Sequence, residues 1–187
     1  MAFTDFEATT WATTDEITAA LMNELEKRAM GARPTVKVYR SNVLSSQTSV
    51  ATIEFEAEAW DNDSMWDVLN PTTPVTVQQA GVYLINATVA LSGSSSTNNT
   101  YMSLELNNDT GAFGDGTVLG FSTGTQIDST PTLFYHQVSA VGNLSGSDEV
   151  KLLVDADTTW GLTANNYDVG DGCWLSMTMV ARTPTLS

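Results

Sequence analysis

Very few residues in this chain are equipped for covalent chemistry. His136 is the only histidine and Cys173 the only cysteine among 187 residues. His136 sits in LFYHQV, which reads as a strand. A Ser-His-Asp set can be drawn around it only because serine and aspartate are abundant, and no G-x-S-x-G elbow accompanies it. The expectation is a structural histidine with its hydrogen bonds satisfied. Cys173, beside Trp174 in an apolar segment, is expected to be a buried, inert thiol. There is no disulfide framework and no Cys/His metal cluster. No catalytic residue is assigned, and the chain is not expected to be an enzyme.

The remaining chemistry is that of binding. Asp61-Asn62-Asp63-Ser64 has the acidic spacing that begins a calcium loop, but it lacks the glycine and the distal glutamate of an EF-hand. Asp61 and Asp63 are the candidate calcium ligands. Asp155 with Asp157, and Asp168 with Asp171, are further oxygen clusters in turns. Solvated turn acids are the alternative throughout, and no other cofactor is expected. Trp60, Trp66, Tyr101 and Trp160 are candidate ligand-contacting residues, because exposed aromatic faces stack on sugars. Core packing or subunit contact is the alternative for each.

Charge narrows the partners. The formal net charge is -15. Nucleic acid binding needs a dense Lys/Arg surface and is excluded as an expectation. Five of the seven Lys/Arg, namely Lys27, Arg28, Arg33, Lys37 and Arg40, fall within one short stretch. Between Ser41 and Val150 there is neither lysine nor arginine. The cluster reads either as helix-end charge complementing the dipole or as a docking patch for an acidic surface.

These residues need elements to position them. Thr13-Thr14-Asp15-Glu16 has capping-box spacing. Ile17, Leu21, Leu25 and Ala29 recur every fourth residue as one apolar stripe. Gly31 and Pro34 end the pattern. The spacing predicts an amphipathic helix of about four turns, too short to be stable alone. From Pro34 the period becomes two. TVKVYR, ATIEFEAEAW, VTV, VYLINATVAL, YMSLEL, TVLGFST, PTLFYHQVSAV, VKLLVDA and CWLSMTMVA alternate between turn-rich segments. ATIEFEAEAW is expected to form one half-buried strand, with Trp60 on its wet face. Residues 92–100 and 107–116 are expected loops and candidate receptor contacts. The expected division is an anchoring arm over residues 1–33 and a β domain over residues 34–187. The start of the chain lacks the basic and apolar regions of a signal peptide. No run reaches the roughly 18 apolar residues of a membrane helix.

Several motifs resemble the C1q/TNF-like jelly roll over residues 35–182. They are Phe55, Asp61 with Trp66, Pro74-Val75-Thr76-Val77, Gly81-Val82-Tyr83-Leu84-Ile85, Leu106-Asn107-Asn108, Gly146-Ser147-Asp148-Glu149-Val150-Lys151-Leu152 and Trp174-Leu175-Ser176-Met177. The resemblance implies an all-β sandwich of about 8–10 antiparallel strands and a homotrimer. The front, Thr10-Trp11 followed by Glu16-Ile17-Thr18-Ala19-Ala20 and Met22-Asn23, resembles the openings of tailed-bacteriophage structural proteins.

Together these readings lead to an expected non-enzymatic virion structural protein. It would form a trimeric knob at the virion surface, made in the host cytoplasm and anchored by Trp11, Ile17, Leu21, Leu25, Lys27, Arg28 and Arg33. Its use would be that of a short head or tail fibre component that binds a receptor, a host surface glycan or protein. A capsid decoration protein at threefold positions is the alternative. Its other partners would be capsid or tail and collar proteins, with no insertion into membrane.

Overall fold

The computed structural model describes residues 33–40, 42–93, 98–126, 133–162 and 172–182. The expected helix, with Trp11, Ile17, Leu21, Leu25, Lys27 and Arg28, lies outside the described residues, as do Asp168 and Asp171.

The described chain forms twelve strands: β1 (Thr35–Tyr39), β2 (Leu44–Gln47), β3 (Ala51–Thr52), β4 (Ala57–Asp61), β5 (Val75–Thr76), β6 (Gly81–Gly93), β7 (Asn98–Leu106), β8 (Thr117–Gln126), β9 (Leu133–Leu144), β10 (Glu149–Ala156), β11 (Trp160–Leu162) and β12 (Trp174–Arg182). They build two antiparallel sheets, one of seven strands and one of five. In the larger sheet β6 is central. β9 covers one of its edges, while β12 and then β11 follow end to end along the other. β1 and β2 continue outward from β12 and β11, and β4 closes that side. In the smaller sheet β3 and β5 share one edge of β10, with β7 and then β8 beyond.

Twelve strands exceed the expected number because some long strands meet two short ones in series. The excess therefore comes from β2, β3, β5 and β11, while the sandwich itself is as expected.

The period-two pattern explains the core. In β9, Val138, Ala140 and Leu144 point inward, as do Val36 and Val38 of β1 and Leu175, Met177 and Met179 of β12. They meet Met102, Leu104, Val150, Leu152 and Val154 of the smaller sheet. ATIEFEAEAW departs from the single expected strand. β3 ends at Thr52 in the smaller sheet and β4 begins at Ala57 in the larger one. The segment between crosses the sandwich, with Ile53 and Phe55 buried on the way. Alternation survives the crossing because both sheets face the same core.

The two sheets come together at one side through β8 and β9. Gly120 of β8 lies so close to Val138 and Ala140 that an added Cβ would stand 3.1–3.3 Å from them.

Candidate functional site: the outer sheet faces

His136 belongs to the seam where β8 meets β9. It is buried, its Nε2 lies 2.7 Å from Ser122 Oγ, and its Nδ1 lies 3.3 Å from Thr100 Oγ1. Thr100 Oγ1 donates to the Gly124 carbonyl. That orders the network: Nδ1–H donates to Thr100, and Ser122 donates to Nε2. Burial holds the imidazole pKa below its ordinary value, so the neutral ring is favoured. A serine beside a histidine resembles a nucleophile pair, but a threonine occupies the place of the orienting carboxylate and cannot stabilise an imidazolium. The ring ties β7, β8 and β9 together. Cys173 is buried, and desolvation pushes its thiol up to about 12, which keeps it protonated and unreactive.

The acidic pair also serves structure. Asp61 accepts from the N–H of Asp63 through one oxygen and from that of Trp66 through the other. Asp63 Oδ1 accepts from Gln79 Nε2, and desolvation raises the pKa of its carboxyl. Calcium wants six to eight oxygens. One uncommitted carboxylate oxygen on Asp63 does not fit that demand, and no group of three metal-ligating side chains occurs among the described residues.

The four aromatic candidates separate. Trp66 and Trp160 are 6% and 1% exposed and belong to the core. This corrects the stacking reading for both: neither offers a free ring face. Trp160 opens β11 and pairs with Gly93 and Gln47. Trp60 and Tyr101 stand on opposite outer faces of the sandwich.

Trp60 lies on the outer face of the larger sheet and is 48% exposed. Lys37, its register partner on β1, places Nζ 5.5 Å from the Trp60 ring and 5.0 Å from the Trp174 ring. A cation between two indoles fixes both rings. Trp60 Nε1 donates to Thr35 Oγ1, which in turn contacts Thr178 Oγ1. Further along this face stand Leu84, Tyr135, Val141 and Val180, all exposed, with Val141 at 66%. Leu84 and Val141 are direct cross-strand partners. Ser139 donates to Asn86 between them and Tyr135. The face is apolar at both ends, with a polar band between, and it lies on the side of the sheet away from the core.

Of the expected basic cluster, Arg33, Lys37 and Arg40 are among the described residues. Lys37 is held between indoles. Arg40 pairs with Glu56 at 3.3 Å and donates to the carbonyls of Asn42 and Glu54. Arg33 is exposed, and its carbonyl accepts from Asn62.

The smaller sheet carries a feature that the sequence did not single out. Glu105 is fully buried, yet it faces outward from β7. Residues 107–116 fold back over it as a flap. Its two oxygens accept from Ser103 Oγ (2.9 Å), Gly114 N (2.9 Å), Asn108 Nδ2 (2.7 Å) and Gly116 N (3.3 Å). Desolvation works against the charge, but these donors outweigh it and hold the carboxyl below its usual pKa. Asn108 also accepts from Gly111 N and donates to the Ala112 carbonyl, while Lys151 donates to the Asn108 carbonyl. The available signal was the pattern Glu105-x-x-Asn108 followed by Gly111, Gly114 and Gly116.

Comparison with known proteins places this arrangement. The globular domain of zebrafish complement 1qA protein is similar over 80% of this chain and 99% of its own, with a TM-score of 0.52 and 14% identity. Murine APRIL at pH 8.5 is similar over 79% of this chain and 99% of its own, at 0.51 and 12%. The fold is a C1q/TNF-like jelly roll. No protein-family model matches the sequence, and no curated protein does. For this jelly roll the similarity concerns fold alone, so its role has to be argued from its surfaces.

Proposed function

We propose that the chain is a non-enzymatic homotrimeric knob, displayed at a virion surface and anchored through residues 1–33. The observation that carries the assembly is the outer face of the seven-stranded sheet. Leu84, Val141 and Val180 are exposed near one another at one end of it, with Tyr135 and Trp60 exposed farther across the same face. An apolar face of this kind, banded with hydroxyls and an amide, suits contact with other copies of the same chain. A face on one subunit that meets a different surface on the next can close into a ring of three copies. The virion role rests on the resemblance of Thr10 to Asn23 to phage structural proteins, and the adhesive use on the knob carrying surfaces that assembly leaves open.

Light scattering on the full chain is the direct test. The expected mass is three times the 20.0 kDa of one chain. Leu84→Asp with Val141→Asp should yield a folded species of lower mass. A wild-type monomer would defeat the assembly reading. For the anchor, a protein lacking residues 1–33 should stay soluble and trimeric but fail to join particles. Localisation of the intact protein separates the two uses: contact with tail or collar subunits fits adhesion, and contact with capsid subunits fits decoration.

A further inference from the structure

We propose that the outer face of the five-stranded sheet is a binding shelf for a glycan chain of neutral or amino-substituted pyranoses. It lies on the side of the sandwich opposite the assembly face. The proposal gives the adhesive role its ligand chemistry and rests on that reading only for its purpose.

Register puts the shelf residues on one face. Tyr101 of β7 lies between Thr123 of β8 and Asp155 of β10. Two residues along, Phe121 is the partner of Ser103; Ser103 and its other neighbour Leu153 are fully buried, so the open shelf runs from Phe121 over Tyr101, Thr123 and Asp155. Phe121 is 54% exposed in mid-strand, and Phe113 of the flap meets its ring edge to face, at 6.2 Å and 85°. The two rings form a step at the foot of the flap. Tyr101 is the diagonal neighbour of Phe121, about 7–8 Å away across the sheet, and its hydroxyl reaches on to Asp157.

Polar groups beyond the rings are already oriented. Tyr101 OH donates to Asp157 Oδ1 at 3.1 Å, and Asn99 Nδ2 donates to Asp157 Oδ2 at 2.6 Å. Thr125 Oγ1 donates to Asn99 Oδ1 at 2.9 Å. Aromatic planes followed by fixed carboxylate, amide and hydroxyl groups match the two sides of a pyranose, its C–H face and its hydroxyl rim. The rigid strands and the pinned flap leave little side-chain freedom to lose on binding.

The same groups choose among ligands. Asp155 and Asp157 accept from hydroxyls or ammonium groups and repel carboxylates, sulfates and phosphates, as does the net charge of -15. Protein partners are disfavoured, because aspartate is depleted at the cores of protein interfaces.

The test uses the full chain with chitotetraose, cellotetraose and maltotetraose, and with tetragalacturonate as an acidic probe. Calorimetric titration should show binding of at least one of the first three and none of the last. Phe121→Ala and Tyr101→Ala should each raise the Kd of the bound oligosaccharide about tenfold, the size of one lost aromatic contact. Phe121 is exposed and Tyr101 half-buried, and each loses one surface contact, so the melting temperature should fall only slightly. Thr123→Lys, which lays a long side chain across the shelf from an exposed position, should weaken binding without removing a ring. Light scattering on the same samples reads the oligomer independently, so loss of binding with the trimer intact is distinguishable from failure of assembly. Overturning results would be no binding of any neutral probe at millimolar concentration, binding of tetragalacturonate alone, or binding unchanged in all three variants.

Discussion

At the scale of single residues, two buried ionisable groups, Glu105 and His136, make stability fall in acid. Glu105 has its pKa lowered in the folded chain, so its stabilising contribution is present above the unfolded value near 4.3 and is lost as pH falls through the lower folded value. His136 is also lowered, which for a base means that protonation favours unfolding. Its penalty begins as pH falls below the unfolded value of about 6.5 and is complete below the folded one. Melting temperature should therefore decline in two acid steps, and His136→Gln should flatten the upper step while leaving the lower. Glu105→Ala strands four donors in a buried place and should cost about 3 kcal/mol in denaturant unfolding near neutral pH. His136 was legible as structural from the sequence. Glu105 was not, because YMSLEL shows only an alternating strand. The flap that turns an outward carboxylate into a buried one is made by the turn chemistry of residues 107–116, not by the period of the strand.

At the scale of elements, the flap and the core make separate demands. Gly114 and Gly116 both donate to Glu105, but for different backbone reasons. Gly114 has a φ of +78° with open space around it, so Gly114→Ala carries only the left-handed penalty of about 1 kcal/mol. At Gly116 an added Cβ would lie 2.2 Å from the Leu106 carbonyl oxygen. Gly116→Ala should cost roughly 3 kcal/mol, and chemical denaturation of the pair should rank them in that order. In the core, Trp160→Ala should cost about 4 kcal/mol. β11 went unrecognised because WGL is three residues between polar turns, too short for a period to show. The long strands, β9 above all, were readable because alternation persists over many residues. The crossing at residues 53–56 was hidden for the opposite reason, since alternation continues through it unchanged.

At the scale of the whole molecule, the sandwich presents two outer faces of different character. One is apolar at its ends and suits contact with copies of itself. The other is aromatic and acidic, partly roofed by the flap. The jelly roll was legible because its motifs are spread along the chain, and a fold defined by strand order needs only that order to be recognised. The grouping of exposed side chains on each face was not, because it depends on which strands become neighbours across the sheet, as Leu84 and Val141 do. Pairwise substitution should separate the faces: Leu84→Asp with Val141→Asp should lower the mass by light scattering and leave oligosaccharide titration unaltered. From Ser41 to Val150 the chain offers no lysine or arginine, and the two that bound this stretch are engaged, Arg40 with Glu56 and Lys151 with the Asn108 carbonyl. Trypsin, which cuts only after such residues, would find no bond to cleave within that stretch even after unfolding. Limited digestion should therefore trim the ends and release most of the sandwich as one uninterrupted fragment, a ready way to isolate it for study.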